Sequence, residues 1–291
     1  MRQKASSSRA SWLPTAPGSW PRHAAGSSSA APSKPGRSRA PSRGPRLNSA
    51  ARDYVDAVAE RLRKHLGTGL VGLYLHGSAA LGDYHPARSD IDLLGVCTAP
   101  ISERERVDIA AGISRDALPC PAGGGLEFSL ITWLAARDPG PAPGYELHGW
   151  DEAGRLHADF GQGDPDLPLH FAVARACGVA VLGPPASEVF RTVPRSELLP
   201  RLSAELDWAD ANAGPSYRAL AACRAWRLLD DDRISSKRAA AEWALDHGAP
   251  RDLVAAVLDH HIAATSPADV DPGAVSDLVA AVRARLAAAS E

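Results

Sequence analysis

The stretch LHGSAALGDYHPARSDIDLLGV, residues 75–96, carries the densest chemistry of the chain. A His76-Gly77-Ser78 turn is followed, after eleven residues, by Asp90-Ile91-Asp92. Apolar runs on either side, Leu70–Leu75 and Ile91–Val96, predict two strands. Side chains two apart on a strand share a face, so Asp90 and Asp92 present both carboxylates together while Ile91 and Leu93 turn to the packed side. Paired carboxylates raise each other's pKa unless a cation lies between them. A hard divalent ion that takes oxygen ligands and nucleotide phosphates, typically Mg²⁺, relieves that repulsion. Gly77 lets backbone N–H groups come close to a phosphate, and the Ser78 and Ser89 hydroxyls add donors.

The flanks extend the pattern. Upstream, Val55, Val58, Leu62 and Leu66 recur at helical spacing until Gly67 stops the run. Downstream, Ser102 and Glu105 form a capping box opening a helix to about Ser114. A Pro/Gly break over 119–125 precedes a third strand, Leu126–Thr132, and residues 138–145 read as a loop. From Pro165 the pattern is helical over 165–176, 196–213, 216–230, 236–247, 251–264 and 272–288, interrupted by the short apolar run Val179–Leu182. The expected architecture is an α/β (α+β) domain with a mixed sheet over 48–160, then a C-terminal α-helical bundle over 161–291.

Composition narrows the partners. Of 32 Lys and Arg, nine lie in residues 1–46, which hold no acidic residue, so the remainder carries 23 against all 34 Asp and Glu, a net of −11. Residues 1–47, rich in Ser, Ala, Pro, Gly and Arg, are expected to form a disordered basic tail. An acidic body repels nucleic acid and attracts small polycations. No apolar run is long enough to span a membrane. Cys97, Cys120, Cys177 and Cys223 have neither metal-site nor disulfide-framework spacing, which fits a reduced, cytoplasmic setting.

Glu127 interrupts the apolar strand LEFSLI (126–131), where a buried charge without a role is costly. Beside the aspartates it would ligate metal or take a proton from an attacking hydroxyl. The blander alternative is a solvent-facing strand position shared with Ser129.

With these residues in place, the chain resembles the streptomycin/spectinomycin adenylyltransferases of the DNA polymerase β-like nucleotidyltransferase superfamily. The likeness runs from about 70 to 265. It rests on the segment 75–96, the strand LEFSLI, ELHGW (146–150), VLGPPASEVF (181–190) and ISSKRAAAEW (234–243). The resemblance implies AMP transfer from Mg·ATP to an aminoglycoside hydroxyl; separately, a monomer is expected. It makes Asp90 and Asp92 the Mg²⁺ ligands and Glu127 both a ligand and the base. Ser78 and Ser89 would then touch the triphosphate, Arg224 and Lys237 would reach the phosphates from the helical domain, and Trp150 would hold the antibiotic. Lys237 is the only lysine in the second half of the chain. Two departures stand out. The loop from Gly77-Ser78 to Asp90 is about one residue longer than usual. The connection from Leu206 to Tyr217 is shorter and lacks a clear counterpart of the acidic residue expected before Arg224, so Trp208 and Asp210 are assigned antibiotic contacts from a shifted position. The alternatives are a nucleotidyltransferase acting on a protein or metabolite, and a non-catalytic nucleotide binder. Intact Ser78, Asp90, Asp92 and Glu127 argue against the second.

Overall fold

The computed structural model describes residues 47–152, 154–161, 163–263, 265 and 270–290. The expected disordered tail lies outside them except for Leu47, which instead packs in the core at 5% exposure. Helix α1 (Ser49–Leu66) begins where the Asn48 side chain accepts the Ala51 amide at 2.9 Å and ends at Gly67, whose φ of +51° an L side chain rarely adopts. Strand β1 (Leu70–Leu75) leads into the short helix α2 (Gly77–Ala80), and β2 (Asp90–Cys97) follows. Helix α3 (Glu103–Gly112) opens on the expected capping box of Ser102 and Glu105. Strand β3 (Gly125–Thr132) and helix α4 (Trp133–Arg137) come next. The hairpin β4 (Leu147–Glu152) and β5 (Arg155–Asp159) then occupies a stretch with no strand pattern of its own. Helix α5 (Leu167–Cys177) precedes β6 (Val179–Leu182), which is the short apolar run.

The six strands form one mixed sheet in the order β5-β4-β3-β2-β1-β6, with β2 and β3 parallel and the other neighbours antiparallel. The sheet thus draws on both sides of the expected boundary at 160. Strand alternation sorts its side chains into two cores. Leu73, Leu75, Ile91, Leu93, Phe128 and Leu130 pack with α1 and α3 on one face. Tyr74, Leu94, Val96 and Ile131 pack on the other with Phe171 of α5 and Phe190, which follows helix α6 (Ala186–Val189). Both faces being covered, the central strands read as continuous apolar runs. Asp90, Asp92 and Glu127 interrupt that rule on the face shared with α5.

The remaining chain folds as α7 (Arg195–Asn212), α8 (Pro215–Asp231), α9 (Lys237–Asp246), α10 (Arg251–Ala263) and α11 (Pro272–Ser290). Pro215 starts α8 where its missing N–H costs nothing, and Ser236 caps α9 by accepting the Ala239 amide at 3.1 Å. Their core is rich in small side chains, Ala219, Ala222, Ala225, Ala240, Ala241 and Ala244 among them, which lets helix axes approach closely.

Candidate active site

Register builds the site. Asp92 pairs with Glu127 across the parallel β2–β3 ladder, Glu127 with Trp150 across β3–β4, and Trp150 with His157 across β4–β5. Directly opposed residues share a sheet face, so these four side chains form one rung, with Asp90 two residues back on the same face. At about 4.8 Å between strands, Trp150 stands on the order of 10 Å from Asp92. Carboxylate oxygens of Asp90, Asp92 and Glu127 all lie within 4.8 Å of one another.

Two glycines make room for this cluster. Gly77, at φ +55°, admits no Cβ because the atom would run into the Asp92 carboxylate, and a Cβ at Gly124 would strike that of Asp90. The His76 amide donates to the Asp92 carbonyl at 3.0 Å, which fixes the turn to β2. The Ser78 hydroxyl is buried and has no hydrogen-bond partner among the described residues, the state expected of a donor awaiting a ligand. Ser89 is also buried; its hydroxyl accepts the His85 amide at 2.9 Å and keeps its proton to donate.

The electrostatics identify what belongs there. Desolvation first, and then the charge of Asp92, push the pKa of Asp90 up to about 6. Desolvation likewise raises Glu127 to about 7; Asp92, Asp90 and Asp164 add to the rise, while His170, with Nδ1 3.8 Å from the carboxylate, opposes it. Asp92 is raised by burial against the pull of His170, the Ser78 amide, Lys237 and Arg224. Three mutually repelling, oxygen-only ligands fit a hard divalent cation such as Mg²⁺, which would resolve the repulsion.

Facing the carboxylates are two cations from the helical region. Lys237, the first residue of α9, is lowered to about 8 by burial and by Arg224, against the attraction of Glu205, Asp90 and Asp92. Its Nζ sits 4.1 Å from the centroid of the Tyr217 ring, a cation–π contact. Arg224 pairs with Glu205 of α7, the main cause of its raised pKa.

The expected acceptor residues separate. Trp150 lies on the carboxylate rung, stacked between His148 and His157 with centroids 5.4 Å away on each side. Trp208 is 54% exposed and meets Tyr217 edge-on at 5.8 Å, so it is connected to Lys237 through one ring. The Asp210 carboxylate is engaged by Arg218 at 2.6 Å and Arg283 at 2.7 Å. His170, Glu205 and Tyr217 had not been singled out. Only His170 had a local signal, an imidazole on an otherwise apolar helix.

A carboxylate triad on a mixed sheet, opposed by cations from a helical cap, defines a nucleotidyltransferase, and residues 55–120 match the model of the nucleotidyltransferase domain. Residues 188–283 match that of the aminoglycoside adenylyltransferase C-terminal domain. The chain is 29% identical over 218 residues to the aminoglycoside (3'')(9) adenylyltransferase of Klebsiella pneumoniae, across 66% of this chain and 77% of that protein. It is 26% identical over 195 residues to the spectinomycin 9-adenylyltransferase of Staphylococcus aureus, across 62% and 72%. The spectinomycin adenyltransferase AAD(9) from Enterococcus faecialis, crystallised with ATP and spectinomycin, aligns with a TM-score of 0.66 and 18% identity, over 81% of this chain and 99% of that one. That last likeness is one of fold. Together, the two family models, matched in the same order along the chain, and these relatives show a nucleotidyltransferase similar to the aminoglycoside adenylyltransferases.

Proposed function

We propose that this enzyme transfers AMP from Mg·ATP to a hydroxyl of streptomycin, spectinomycin or a related aminocyclitol, releasing pyrophosphate. The observation that carries the reading is the single rung on which Asp92, Glu127 and Trp150 stand side by side. On this reading a metal ligand, the base and an aromatic platform for the acceptor stand in one line.

Asp90, Asp92 and Glu127 would hold Mg²⁺, which when bound stabilises charge on the attacking and leaving oxygens. Glu127 takes the proton of the acceptor hydroxyl as that oxygen bonds to the α-phosphorus and the bond to pyrophosphate breaks. Burial and the neighbouring aspartates raise its pKa in the metal-free site, and a bound cation would hold it ionised and able to accept that proton. Ser78 and Ser89 donate to phosphate oxygens, and Lys237 and Arg224 neutralise the charge that collects on pyrophosphate. A cavity of about 160 Å³, lined by Arg88, Ser216, Tyr217, Lys237, His260 and His261, opens beside Lys237. Trp150 supplies the apolar floor for the acceptor, and Trp208 and Asp210 are assigned its outer wall.

Small-molecule chemistry by a cytoplasmic monomer agrees with the acidic body and with four free cysteines. Among the described residues no helix is long and apolar enough to cross a membrane. The test is incubation with Mg·ATP and a panel of aminocyclitols, read by mass spectrometry beside Glu127→Gln. An AMP adduct in the unaltered enzyme alone supports the reading. Labelling of protein instead, or no adduct despite tight Mg·ATP binding, refutes the drug acceptor.

A further inference from the structure

The loop between α2 and β2 does more than deliver Asp90. Gly82, at φ +76°, turns the chain so that Asp83 points into the helical region, where its side chain is 9% exposed. There one carboxylate oxygen accepts the backbone N–H of Arg238 at 3.2 Å, and the same oxygen meets Nε2 of His261 at 3.1 Å. The Arg238 guanidinium approaches the other oxygen at 3.6 Å and donates to the Gly82 carbonyl at 3.3 Å. Arg88, from the far end of the same loop, reaches Nδ1 of His261 at 2.9 Å. A second guanidinium nitrogen of Arg88 lies 3.1 Å from Nε2, so Arg88 flanks both nitrogens of the His261 ring.

Both partners of Asp83 matter for where they lie. Arg238 is the second residue of α9, directly after Lys237, and its amide is one of the helix's orphan donors; a carboxylate there also complements the helix dipole. His261 is on α10 and lines the cavity beside Lys237. Burial alone would raise the Asp83 pKa, but the hydrogen bonds from His261 and Arg238 outweigh it and hold the group ionised.

We infer that Asp83 is a positioning residue that fastens the first turn of α9, and hence the Lys237 ammonium, to the loop that ends at Asp90. Nucleotide phosphates held between the two would then meet a preset spacing. The clasp stands on geometry alone; its consequence for ATP rests on the function proposed above.

The test compares the unaltered full chain with Asp83→Ala, Asp83→Asn and Lys237→Ala. Without nucleotide, hydrogen exchange in residues 236–243 should speed up about tenfold in Asp83→Ala, with β2 and β3 unchanged, as loss of a charge-assisted hydrogen bond dictates. Asp83→Asn keeps an acceptor and should recover part of that protection. Calorimetric affinity for a non-hydrolysable Mg·ATP analogue should fall about tenfold in Asp83→Ala, and by under about twofold when the change is added to Lys237→Ala. Unchanged exchange in α9, equal acceleration throughout the molecule, or full additivity with Lys237→Ala would each overturn the inference. Failure of the unaltered chain to bind Mg·nucleotide would count against the proposed function instead, and the exchange comparison would still decide the clasp.

Discussion

Glu127 and Lys237 face the same cleft, yet they are held there by different physics. Glu127 is set by a backbone ladder in which each neighbour's register is fixed, so Asp92, Glu127 and Trp150 fall in line with no help from side-chain packing. Lys237 begins a helix seated on closely packed alanines, and its head group is steered by Tyr217, Arg224 and Glu205, each brought from another part of the chain. A sheet specifies position through register, whereas a bundle specifies it through volume and charge. The sheet half should therefore fail in chemistry when altered, and the helical half in placement.

The largest expected effect sharpens that contrast. Glu127→Gln would remove the proposed base and metal ligand but leave the ladder intact, so kcat for AMP transfer should fall by about 10³-fold while folding is preserved. Steady-state kinetics beside a thermal melt checks both halves. A loss confined to KM would mean that Glu127 only binds.

Next comes a volume change in the helical half. Ala240 is fully buried one turn after Lys237. Ala240→Leu should overpack the α8–α9 interface and cost about 1–3 kcal/mol. The melting temperature should drop, and kcat/KM for ATP should drop with it as Lys237 is displaced. If the melt falls while ATP kinetics hold, placement of Lys237 does not depend on this packing.

The same division explains what the amino-acid sequence reveals unaided. Asp90 and Asp92 were legible because strand periodicity alone puts them on one face, and Glu127 because the apolar residues around it make the charge conspicuous; its place beside Asp92 comes from the β2–β3 register. The helical stretches were legible from spacing; Val179–Leu182 stood out only as an apolar interruption, and its place as β6 at the sheet edge comes from pairing with β1. The β4–β5 hairpin was not. LHGWDE mixes glycine, indole and acids because one side of it serves the site, so it lacks the alternation of a structural strand. Glu205, Tyr217 and the Asp83–His261 clasp were hidden for another reason: nothing local marks residues whose partners lie up to 178 positions away.

A third experiment uses the cost of the carboxylate cluster. Asp90 and Glu127 titrate near 3.8 and 4.5 when free of the fold, and near about 6 and 7 within it. Between those limits the folded state binds more protons, so their contribution is present below about pH 4 and lost as pH rises through 6 to 7. The metal-free protein should therefore lose stability from pH 5 to pH 8, and millimolar Mg²⁺ should restore it. Asp90→Asn should flatten the profile and raise the metal-free melting temperature at pH 8 by roughly 2–4 °C, about 1 kcal/mol after discounting for Asp90's exposure. An unchanged melt would place the repulsion elsewhere.

The smallest effect separates long-range charge from contact. Outside residues 1–46 the chain carries a net of −11, a field that would draw in the proposed cationic acceptor and repel Mg·ATP. Salt screens such fields beyond about 8–10 Å and weakens less the short-range contacts of half-buried groups such as Lys237 and Arg224. Raising ionic strength from about 0.05 to 0.3 M should therefore increase KM for the aminocyclitol a few-fold, while KM for Mg·ATP stays level or falls. Opposite slopes would show that the acceptor is gathered by the body's charge and the nucleotide is held by local contacts. Parallel rises would mean that both substrates depend on exposed charges at the cleft rim, and the helical cations would then count as surface steering groups rather than as a fixed half of the site.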